Sequence, residues 1–300
     1  MSVIVPLYNA QKTIGDLLDS IYRCNYNNLE IIVVDDGSTD NGPNLVQTLY
    51  PRVTLVRNDR NRGKSWSLNR GISRSSGDLL IITDPDLYFD PYLLSAWATA
   101  MARNPRLGVG GCFVYYKDKP KTLGHAGAKM EYRRVLIRRM LENTPLAHSN
   151  EFYEESSNWV FDDLYVLRKE AFDSVGTYDY LDFPTILEEA DLQTRISKTG
   201  YTKAIIPGAR ALHAIPSDPW QQLRRYSKYK IEFLCRNRFI LFRKLGLLSV
   251  AGSFALVIRL SAYYTFVALI QPVSLHDRLL LIKAMGLGII RGLLDHVEMQ

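Results

Sequence analysis

Cysteine and histidine are scarce in this 300-residue chain. The three cysteines are Cys24, Cys112 and Cys235, which lie far apart and form no C-x-x-C pair. This spacing argues against a disulfide framework and against a thiolate zinc site. The five histidines are scattered, with no metal-spaced pair among them. We therefore expect a protein of a reducing compartment, without a recognisable cysteine or histidine metal motif.

Motifs that define several other protein classes are also missing. No G-x-G-x-x-G follows the first predicted strand, where Pro6-Leu7-Tyr8-Asn9 stands instead, and no G-x-x-x-x-G-K-[ST] occurs. These absences argue against a dinucleotide dehydrogenase and a P-loop NTPase. The chain does not open with a charged segment and an apolar segment in the order of a secretory signal, so we expect the N-terminal domain to face the cytosol.

The composition is that of a globular protein with an uneven charge distribution. Hydrophobic residues make up 47% and charged residues 23%, which is enough apolar material for a sizeable core. The net charge of +6 is concentrated in eight basic residues: Arg224, Arg225, Lys228, Lys230, Arg236, Arg238, Arg243 and Lys244. Because an apolar segment follows them, instead of interleaved aromatic residues, they favour membrane phosphates over nucleic acid as a partner.

Short β-rich segments alternate with helical spacing from residue 2 to about 116, a pattern typical of a parallel sheet covered by helices. The predicted strands are Val3–Pro6, Leu29–Asp35, Val53–Arg57, Leu79–Asp84 and Val109–Tyr116. Residues 117–156 are more polar and contain basic clusters, and we expect one helix there. The strand-helix-strand pattern returns over residues 157–215.

Three acidic motifs stand at predicted element boundaries, where open α/β sheets bind ligands. Asp35-Asp36 ends the second strand, Asp84-Pro85-Asp86 ends the fourth, and Glu188-Glu189-Ala190-Asp191 opens a helix predicted to run to Lys198. Carboxylates two residues apart in an extended chain point to the same side, so Asp84 and Asp86 are suited to one Mg²⁺ or Mn²⁺ ion. A carboxylate at a helix start is suited to act as a general base.

Each acidic motif also has a purely structural interpretation. The first is a typical Asx turn with a helix cap, and Pro85 in the second can simply end a strand. In the third motif, acidic residues in the first helical turn interact favourably with the helix dipole, and Asp191 can pair with Arg195 one turn later.

The chain carries a longer series of short motifs in a fixed order. They are Val5-Pro6-Leu7-Tyr8-Asn9, Asp35-Asp36-Gly37-Ser38, Asn61-Arg62-Gly63, Asn69-Arg70-Gly71, Gly77-Asp78, Asp84-Pro85-Asp86, Leu167-Arg168-Lys169-Glu170-Ala171-Phe172, Val175-Gly176, Glu188-Glu189-Ala190-Asp191-Leu192, Gly200-Tyr201, His213, Ser217 and Arg236-Asn237-Arg238. In this order and spacing they resemble a family 2 glycosyltransferase of the GT-A fold, from Ser2 to about Phe242.

The resemblance implies roles for individual residues. Those implied in nucleotide binding are Pro6, Tyr8, Asp35, Asp36 and Asp84. Those implied in binding the Mg²⁺ or Mn²⁺ cofactor are Asp84, Asp86 and His213. The family's usual acidic motif is Glu-Asp-x-Asp, whose second residue is the general base, and here that residue is Glu189. Glu188 and Asp191 are the alternatives for this catalytic role.

The resemblance also implies an α/β fold with a Rossmann-like, mostly parallel sheet flanked by helices. We expect a GT-A catalytic domain over residues 1–219, with its nucleotide-sugar half at about 1–116 and its acceptor half at 117–219. The expected reaction is inverting transfer of a sugar from a nucleotide diphosphate donor to a hydroxyl of a lipid-linked or cell-surface glycan. Two alternatives are transfer to a polyprenyl or dolichyl phosphate, and a scaffold that binds a nucleotide sugar or glycan without catalysis.

Residues 220–300 are predicted to be a basic helical region that associates with an anionic membrane. The segment Leu245–Gln271 is long enough to cross a bilayer as a helix, but Arg259 near its middle costs about 2.5 to 3.5 kcal/mol on insertion scales. We therefore predict helices that lie in the cytoplasmic interface or form a shallow re-entrant pair. A true span is the alternative, and a buried helix of the catalytic domain is a second one.

Overall fold

The computed structural model describes residues 1–131, 136–142, 154–218, 221–222, 227–271 and 273–295. Its strands are β1 (Ser2–Leu7), β2 (Glu30–Asp35), β3 (Thr54–Arg57), β4 (Leu79–Thr83), β5 (Leu87–Phe89), β6 (Leu107–Tyr116), β7 (Leu123–His125), β8 (Ala128–Glu131), β9 (Leu136–Arg139), β10 (Glu154–Glu155), β11 (Trp159–Val160), β12 (Leu164–Arg168) and β13 (Thr202–His213). Its helices are α1 (Ile14–Tyr22), α2 (Gly42–Leu49), α3 (Lys64–Ile72), α4 (Leu93–Arg103), α5 (Lys169–Asp173), α6 (Glu188–Lys198), α7 (Lys228–Lys244), α8 (Val250–Ile270) and α9 (Leu275–Leu294).

The main sheet is mixed, and its N-terminal part is parallel. The strand order is β10-β13-β6-β12-β4-β1-β2-β3. β1 pairs in parallel with β2 and β4, and β2 pairs in parallel with β3. β12 lies between β4 and β6 and is antiparallel to both. The parallel pairing brings the carboxyl ends of β1, β2 and β4 to one edge, as predicted for the two aspartate motifs.

Hydrophobic cores cover both faces of this sheet. One core joins the sheet to the apolar sides of α1, α2 and α4, with Ile14, Val46 and Trp97 as members. The other core joins the opposite face to α3, α5 and α6, with Leu68 and Leu192 as members. The two layers explain why the central strands are almost continuously apolar, because parallel strands that are buried on both sides have no exposed face.

The prediction of a helix within residues 117–156 is wrong for the part that the structure describes. There the chain forms β7 to β10, and β8 and β9 form a small antiparallel sheet with β11. Burial alternates along β8, where Ala128 and Met130 are buried and Lys129 and Glu131 are less so. This period of two favours a strand, and Arg138 and Arg139 belong to the edge strand β9 instead of a helix face. Residues 132–135 and 143–153 lie outside the described residues.

The last three helices form a separate apolar cluster in which α9 packs on both α7 and α8. α9 packs closely on α7 because Gly288 and Gly292 have no side chain. A Cβ atom added at Gly288 would lie 2.3 Å from the carbonyl oxygen of Glu232. α8 buries a stripe containing Leu256, Leu260 and Tyr264 against this cluster.

Candidate active site

A cavity of about 1180 Å³ opens at the carboxyl edge of the parallel strands. It unites residues that are far apart in sequence, and its lining includes Pro6, Tyr8, Asp36, Gly63, Lys64, Asp84, Asp86 and Tyr229. Five of these were predicted as site residues. The volume is sufficient for a ligand of nucleotide-sugar size, since pockets for drug-sized molecules range from about 300 to 1,000 Å³. Tyr8 and Tyr229 are about half exposed and present aromatic surface to this space.

The two adjacent aspartates at the end of β2, Asp35 and Asp36, have different roles. Asp35 accepts a hydrogen bond from the backbone N–H of Ser38, three residues on, at 2.8 Å, so its side chain stabilises the turn that follows the strand. Asp36 is buried and accepts from the backbone N–H groups of Arg62 at 2.8 Å and Gly63 at 2.9 Å. Asp36 therefore fixes the loop that leads into α3, and one side of the cavity depends on it.

Lys64 connects the second and third acidic motifs, a role that the sequence reasoning missed. Its Nζ lies 2.9 Å from Oδ1 of Asp84, 2.8 Å from Oε1 of Glu189 and 3.5 Å from Oε1 of Glu188. A sequence signal for this role exists, because Lys64 is the first residue of α3 and a cation there opposes the helix dipole. A basic residue in that position needs compensating acids nearby.

Burial and crowding of charge shift the pKa values in this cluster. Burial and the neighbouring Glu188 raise the pKa of Glu189 well above its usual range, and Lys64 opposes this shift. Burial opposes the charge of Lys64, but the three carboxylates outweigh it and raise the pKa of its ammonium. Burial also raises the pKa of Asp84 to about 6, against the effect of Lys64. A carboxyl with a raised pKa is a stronger base, which suits proton abstraction near neutral pH.

A second charged network lies beside Asp86. His213 Nε2 is 3.2 Å from Asp86 Oδ1, and His213 Nδ1 is 3.3 Å from Asp163 Oδ2. Asp163 Oδ2 is also 2.9 Å from Nε2 of His125, whose Nδ1 accepts from the backbone N–H of Gly127. A nitrogen that accepts carries no proton, so this bond makes His125 a donor to Asp163. The two histidines are 88 residues apart in the sequence, which is why no local spacing revealed them.

The charge state of this network follows from its contacts. Burial disfavours the imidazolium of His213, but the carboxylates of Asp163 and Asp86 raise its pKa to about 10. Burial would raise the pKa of Asp163, yet the two histidines hold it well below its usual range. The two carboxylates therefore favour the protonated ring of His213. A metal ion bound there would displace a proton from this ring, because only an unprotonated imidazole nitrogen coordinates a metal.

The donor atoms of this region fit a divalent metal ion. Asp84 and Asp86 supply carboxylate oxygens, and His213 supplies an imidazole nitrogen that already lies beside Asp86. The buried Nδ1 of His213 forms only the ionic contact to Asp163 and no directed hydrogen bond. One ligand atom each from His125, Asp163 and His213 also lies within 4.8 Å of the others. Oxygen ligands suit both Mg²⁺ and Mn²⁺, and an added imidazole favours Mn²⁺.

Asp191 lies apart from the cavity that contains Asp84 and Asp86. It pairs with Arg195 at 2.9 Å, as the structural interpretation of the third motif expected, and it lines a smaller cavity with Tyr178 and Lys244. α6 begins at Glu188 and ends at Lys198, also as predicted. Of the three acids in this motif, Glu188 and Glu189 contact Lys64 and Asp191 does not.

Solved structures share this architecture. The mannosyltransferase PcManGT from Pyrobaculum calidifontis, in complex with GDP-Man and Mn²⁺, is similar with a TM-score of 0.59 and 21% identity, covering 99% of this chain and 86% of that one. Residues 1–349 of S. aureus TarS, in complex with UDP-GlcNAc, give a TM-score of 0.56 and 17% identity, covering 99% and 82%. The fold is thus that of GT-A glycosyltransferases.

Sequence comparisons identify the family. The model of the glycosyl transferase family 2 matches residues 2–162, and the chain belongs to this family. The N-acetylglucosaminyl-diphospho-decaprenol L-rhamnosyltransferase of Mycobacterium tuberculosis is 24% identical over 259 residues, covering 78% of this chain and 83% of that protein. The poly-beta-1,6-N-acetyl-D-glucosamine synthase of Staphylococcus aureus is 26% identical over 249 residues, covering 80% and 56%. The protein is therefore an inverting glycosyltransferase.

Proposed function

We propose that this enzyme transfers a sugar from a nucleotide diphosphate donor to a hydroxyl of a lipid-linked glycan at the cytoplasmic face of a membrane. The observation that carries the proposal is the contact of Lys64 with both Asp84 and Glu189. Asp84, of the second acidic motif, and Glu189, the candidate base, thus share one buried cation. A donor and an acceptor that meet there are both within reach of the groups that the reaction requires.

The donor is assigned to the cavity at the edge of β1, β2 and β4. The nucleotide base would lie near Pro6, Tyr8 and Asp36, with Asp35 supporting the turn and Asp84 near the ribose. The tyrosine rings that line this cavity are suited to stack on a base. The solved structures with GDP-Man and UDP-GlcNAc support a nucleotide-sugar donor as a class.

Asp84, Asp86 and His213 are the residues that would hold Mg²⁺ or Mn²⁺. When bound, such an ion supplies positive charge that stabilises the departing diphosphate. The protein's own contribution is to hold the ligands in place, and Asp163 does so by contacting the far side of the His213 ring. Mn²⁺ in the Pyrobaculum calidifontis complex supports this cofactor class.

Glu189 is the proposed general base that removes the acceptor proton, with Glu188 as its buried neighbour. Its pKa is raised, and Lys64 at 2.8 Å fixes the position of the carboxylate. Inversion requires a single displacement, so no covalent enzyme intermediate is needed.

The acceptor half is assigned to residues 117–219 and membrane association to residues 220–300. Among the described residues, one helical segment, Gly252–Ile270, is long and apolar enough to cross a membrane, with a mean hydropathy of 1.7. Large apolar side chains, including Phe254, Ile258 and Phe266, are exposed along α8, while Arg259 is only partly exposed. This face, and the decaprenol-linked substrate of the mycobacterial relative, support peripheral or monotopic association with an anionic leaflet.

A second candidate is transfer to a polyprenyl phosphate, which is already ionised and needs no base. The observation that favours it is the ion pair between Lys64 and Glu189, because a paired carboxylate is less available for proton abstraction. The basic residues of α7 are compatible with a lipid phosphate.

Nucleotide release by the full chain tests both proposals. UDP-N-acetylglucosamine and GDP-mannose are supplied with Mn²⁺, first with a glycan-diphosphate-lipid acceptor and then with a polyprenyl phosphate. Transfer to a hydroxyl predicts loss of at least about 10²-fold in Glu189→Gln, within the range for general base catalysis. Turnover on polyprenyl phosphate that is insensitive to Glu189→Gln would establish the second candidate, and absence of release from a broad donor panel would contradict both.

A further inference from the structure

A strained turn leads directly into Glu188 and Glu189, the acid pair at the start of α6. Ile186 and Leu187 have φ angles of 65° and 68°, in the left-handed region that side chains other than glycine rarely adopt. Ile186 is β-branched, which makes this conformation especially unfavourable. α6 begins at the next residue, Glu188. The conformation of this turn therefore decides where the carboxylates of Glu188 and Glu189 are directed.

Asn237 of α7 binds the turn through its side-chain amide. Its Nδ2 donates to the carbonyl oxygens of Thr185 at 2.8 Å and Ile186 at 2.6 Å. Its Oδ1 accepts from the guanidinium of Arg236 at 3.0 Å. Carbonyl oxygens only accept and a guanidinium only donates, so the amide has one possible orientation. The side chain of Asn237 is completely buried.

α3 contacts the same segment from the opposite side. The backbone N–H of Ser65 donates to the carbonyl oxygen of Pro184 at 3.1 Å, and its hydroxyl donates to the carbonyl oxygen of Phe183. Gly63 approaches so closely that an added Cβ atom would lie 2.6 Å from the oxygen of Pro184. The segment is thus enclosed between α3, which carries Lys64, and α7, which carries Asn237.

We infer that Asn237 is a positioning residue for the acid pair: its two amide hydrogens hold the left-handed turn at Ile186 and Leu187 and so keep Glu189 against Lys64. The inference rests on the proposed role of Glu189. Strained backbone persists only where the surrounding structure fixes it. Without the two donors of Asn237, the turn relaxes to ordinary backbone angles and Glu189 moves away from the Lys64 ammonium.

A purely structural role for Asn237 makes a different prediction. A buried amide that only supports the packing of α7 would lower stability when removed, and its loss would affect all functions of the enzyme alike. Cys235 provides the matched control, because it is fully buried in the same helix and belongs to the apolar cluster of α7, α8 and α9. Cys235→Ala removes packing without removing a contact to the 183–187 segment.

The test compares Asn237→Ala, Asn237→Asp and Cys235→Ala in the full chain. Asn237→Asp keeps the shape but replaces the donors with a carboxylate, so both Asn237 variants should lose about tenfold or more in kcat, as for a misplaced catalytic group. The KM for UDP-N-acetylglucosamine or GDP-mannose should stay within about twofold of the wild-type value, since the donor cavity is unchanged. Adding Ile186→Gly to Asn237→Ala should recover several-fold in kcat, because glycine adopts the left-handed turn without strain.

Hydrogen exchange supplies a readout that is independent of turnover. In Asn237→Ala, amides of residues 186–190 should exchange at least about tenfold faster, while those of α7 stay protected as in the wild type. The inference is overturned by unchanged kcat in Asn237→Ala, by an equal loss of kcat in Cys235→Ala, or by faster exchange spread evenly over α7. If the wild-type enzyme releases no nucleotide, the proposed function fails, and the exchange pattern still decides between a held turn and general packing.

Discussion

Lys64 Nζ lies 2.8 Å from Oε1 of Glu189, although 125 residues separate them in the chain. The same ammonium contacts Asp84 at 2.9 Å. One buried cation therefore stabilises the ionised forms of a carboxylate on the donor side and a carboxylate on the proposed acceptor side. Removal of its charge should affect both, and the effect on Glu189 has a defined sign.

Lys64→Met should shift the acid limb of the pH profile of kcat to higher pH. Only the ionised form of Glu189 can accept a proton, so activity rises as pH passes through its pKa. Lys64 lowers that pKa, and its loss should move the limb upward by about 1 to 3 pH units, the range for a nearby opposite charge. Lys64→Arg serves as the control that keeps the charge. A profile of unchanged position in Lys64→Met would contradict the role of Glu189 as base.

Mn²⁺ should raise the melting temperature of the full chain in the presence of UDP or GDP. An ion present at a hundred times its dissociation constant stabilises by about 2.7 kcal/mol. The effect should disappear in Asp86→Asn and weaken in His213→Ala, because these changes remove proposed ligands. Asp191→Asn is the control, since Asp191 pairs with Arg195 away from this cluster. A stabilisation that Asp86→Asn leaves intact would place the ion elsewhere.

Gly288→Ala should destabilise the helical cluster, whereas Gly286→Ala should not. The new Cβ at residue 288 would lie 2.3 Å from the carbonyl oxygen of Glu232, and no atom lies within 4 Å of the corresponding position at residue 286. Overpacking of this kind costs about 1 to 3 kcal/mol. Alanine in an open helical position is neutral or stabilises by up to about 1 kcal/mol. Thermal unfolding of the two variants measures the difference, and equal melting temperatures would refute the close packing of α9 on α7.

Liposome flotation should depend on the exposed apolar face of α8. The full chain should float with vesicles that contain phosphatidylglycerol, and the double substitution Phe254→Glu, Ile258→Glu should abolish flotation without loss of helical content. Leu49→Glu is the control, because Leu49 is equally exposed but lies on α2 near the N-terminal part of the sheet. A wild-type chain that stays in the aqueous fraction without detergent would show that this face does not bind lipid.

The sequence was sufficient for the parts of the site that depend on local patterns. The predicted strands agree with β1 to β4 and β6 to within about two residues at each end, because each is a compact apolar segment bounded by turn residues. The carboxyl edge of the sheet followed from the parallel order. Pro6, Tyr8, Asp36, Asp84 and Asp86, which the family resemblance indicated, line one cavity there, and their roles stay predictions.

The contacts that join distant segments of the chain could not be predicted from local sequence patterns. The contacts of His125 and His213 with Asp163 bring together residues from three strand ends, and no period or spacing encodes such a meeting. Lys64 reaches the acid pair only after α3 and α6 have packed on the same face of the sheet. A helix was expected in residues 117–156 from composition, and the described part of this range forms strands instead, because polarity and basic pairs do not distinguish a helix face from an edge strand.

The position of β12 has a consequence for how the chain reaches this fold during synthesis. β4 ends at Thr83 and pairs on one side with β1, but its neighbour on the other side, β12, begins only at Leu164. At about 5 to 20 residues per second, a ribosome takes at least several seconds to produce the intervening segment. Throughout that interval the nascent chain has an apolar strand with one unpaired side, a surface on which other chains can add. Chaperone dependence during translation should therefore be greatest before residue 168 emerges.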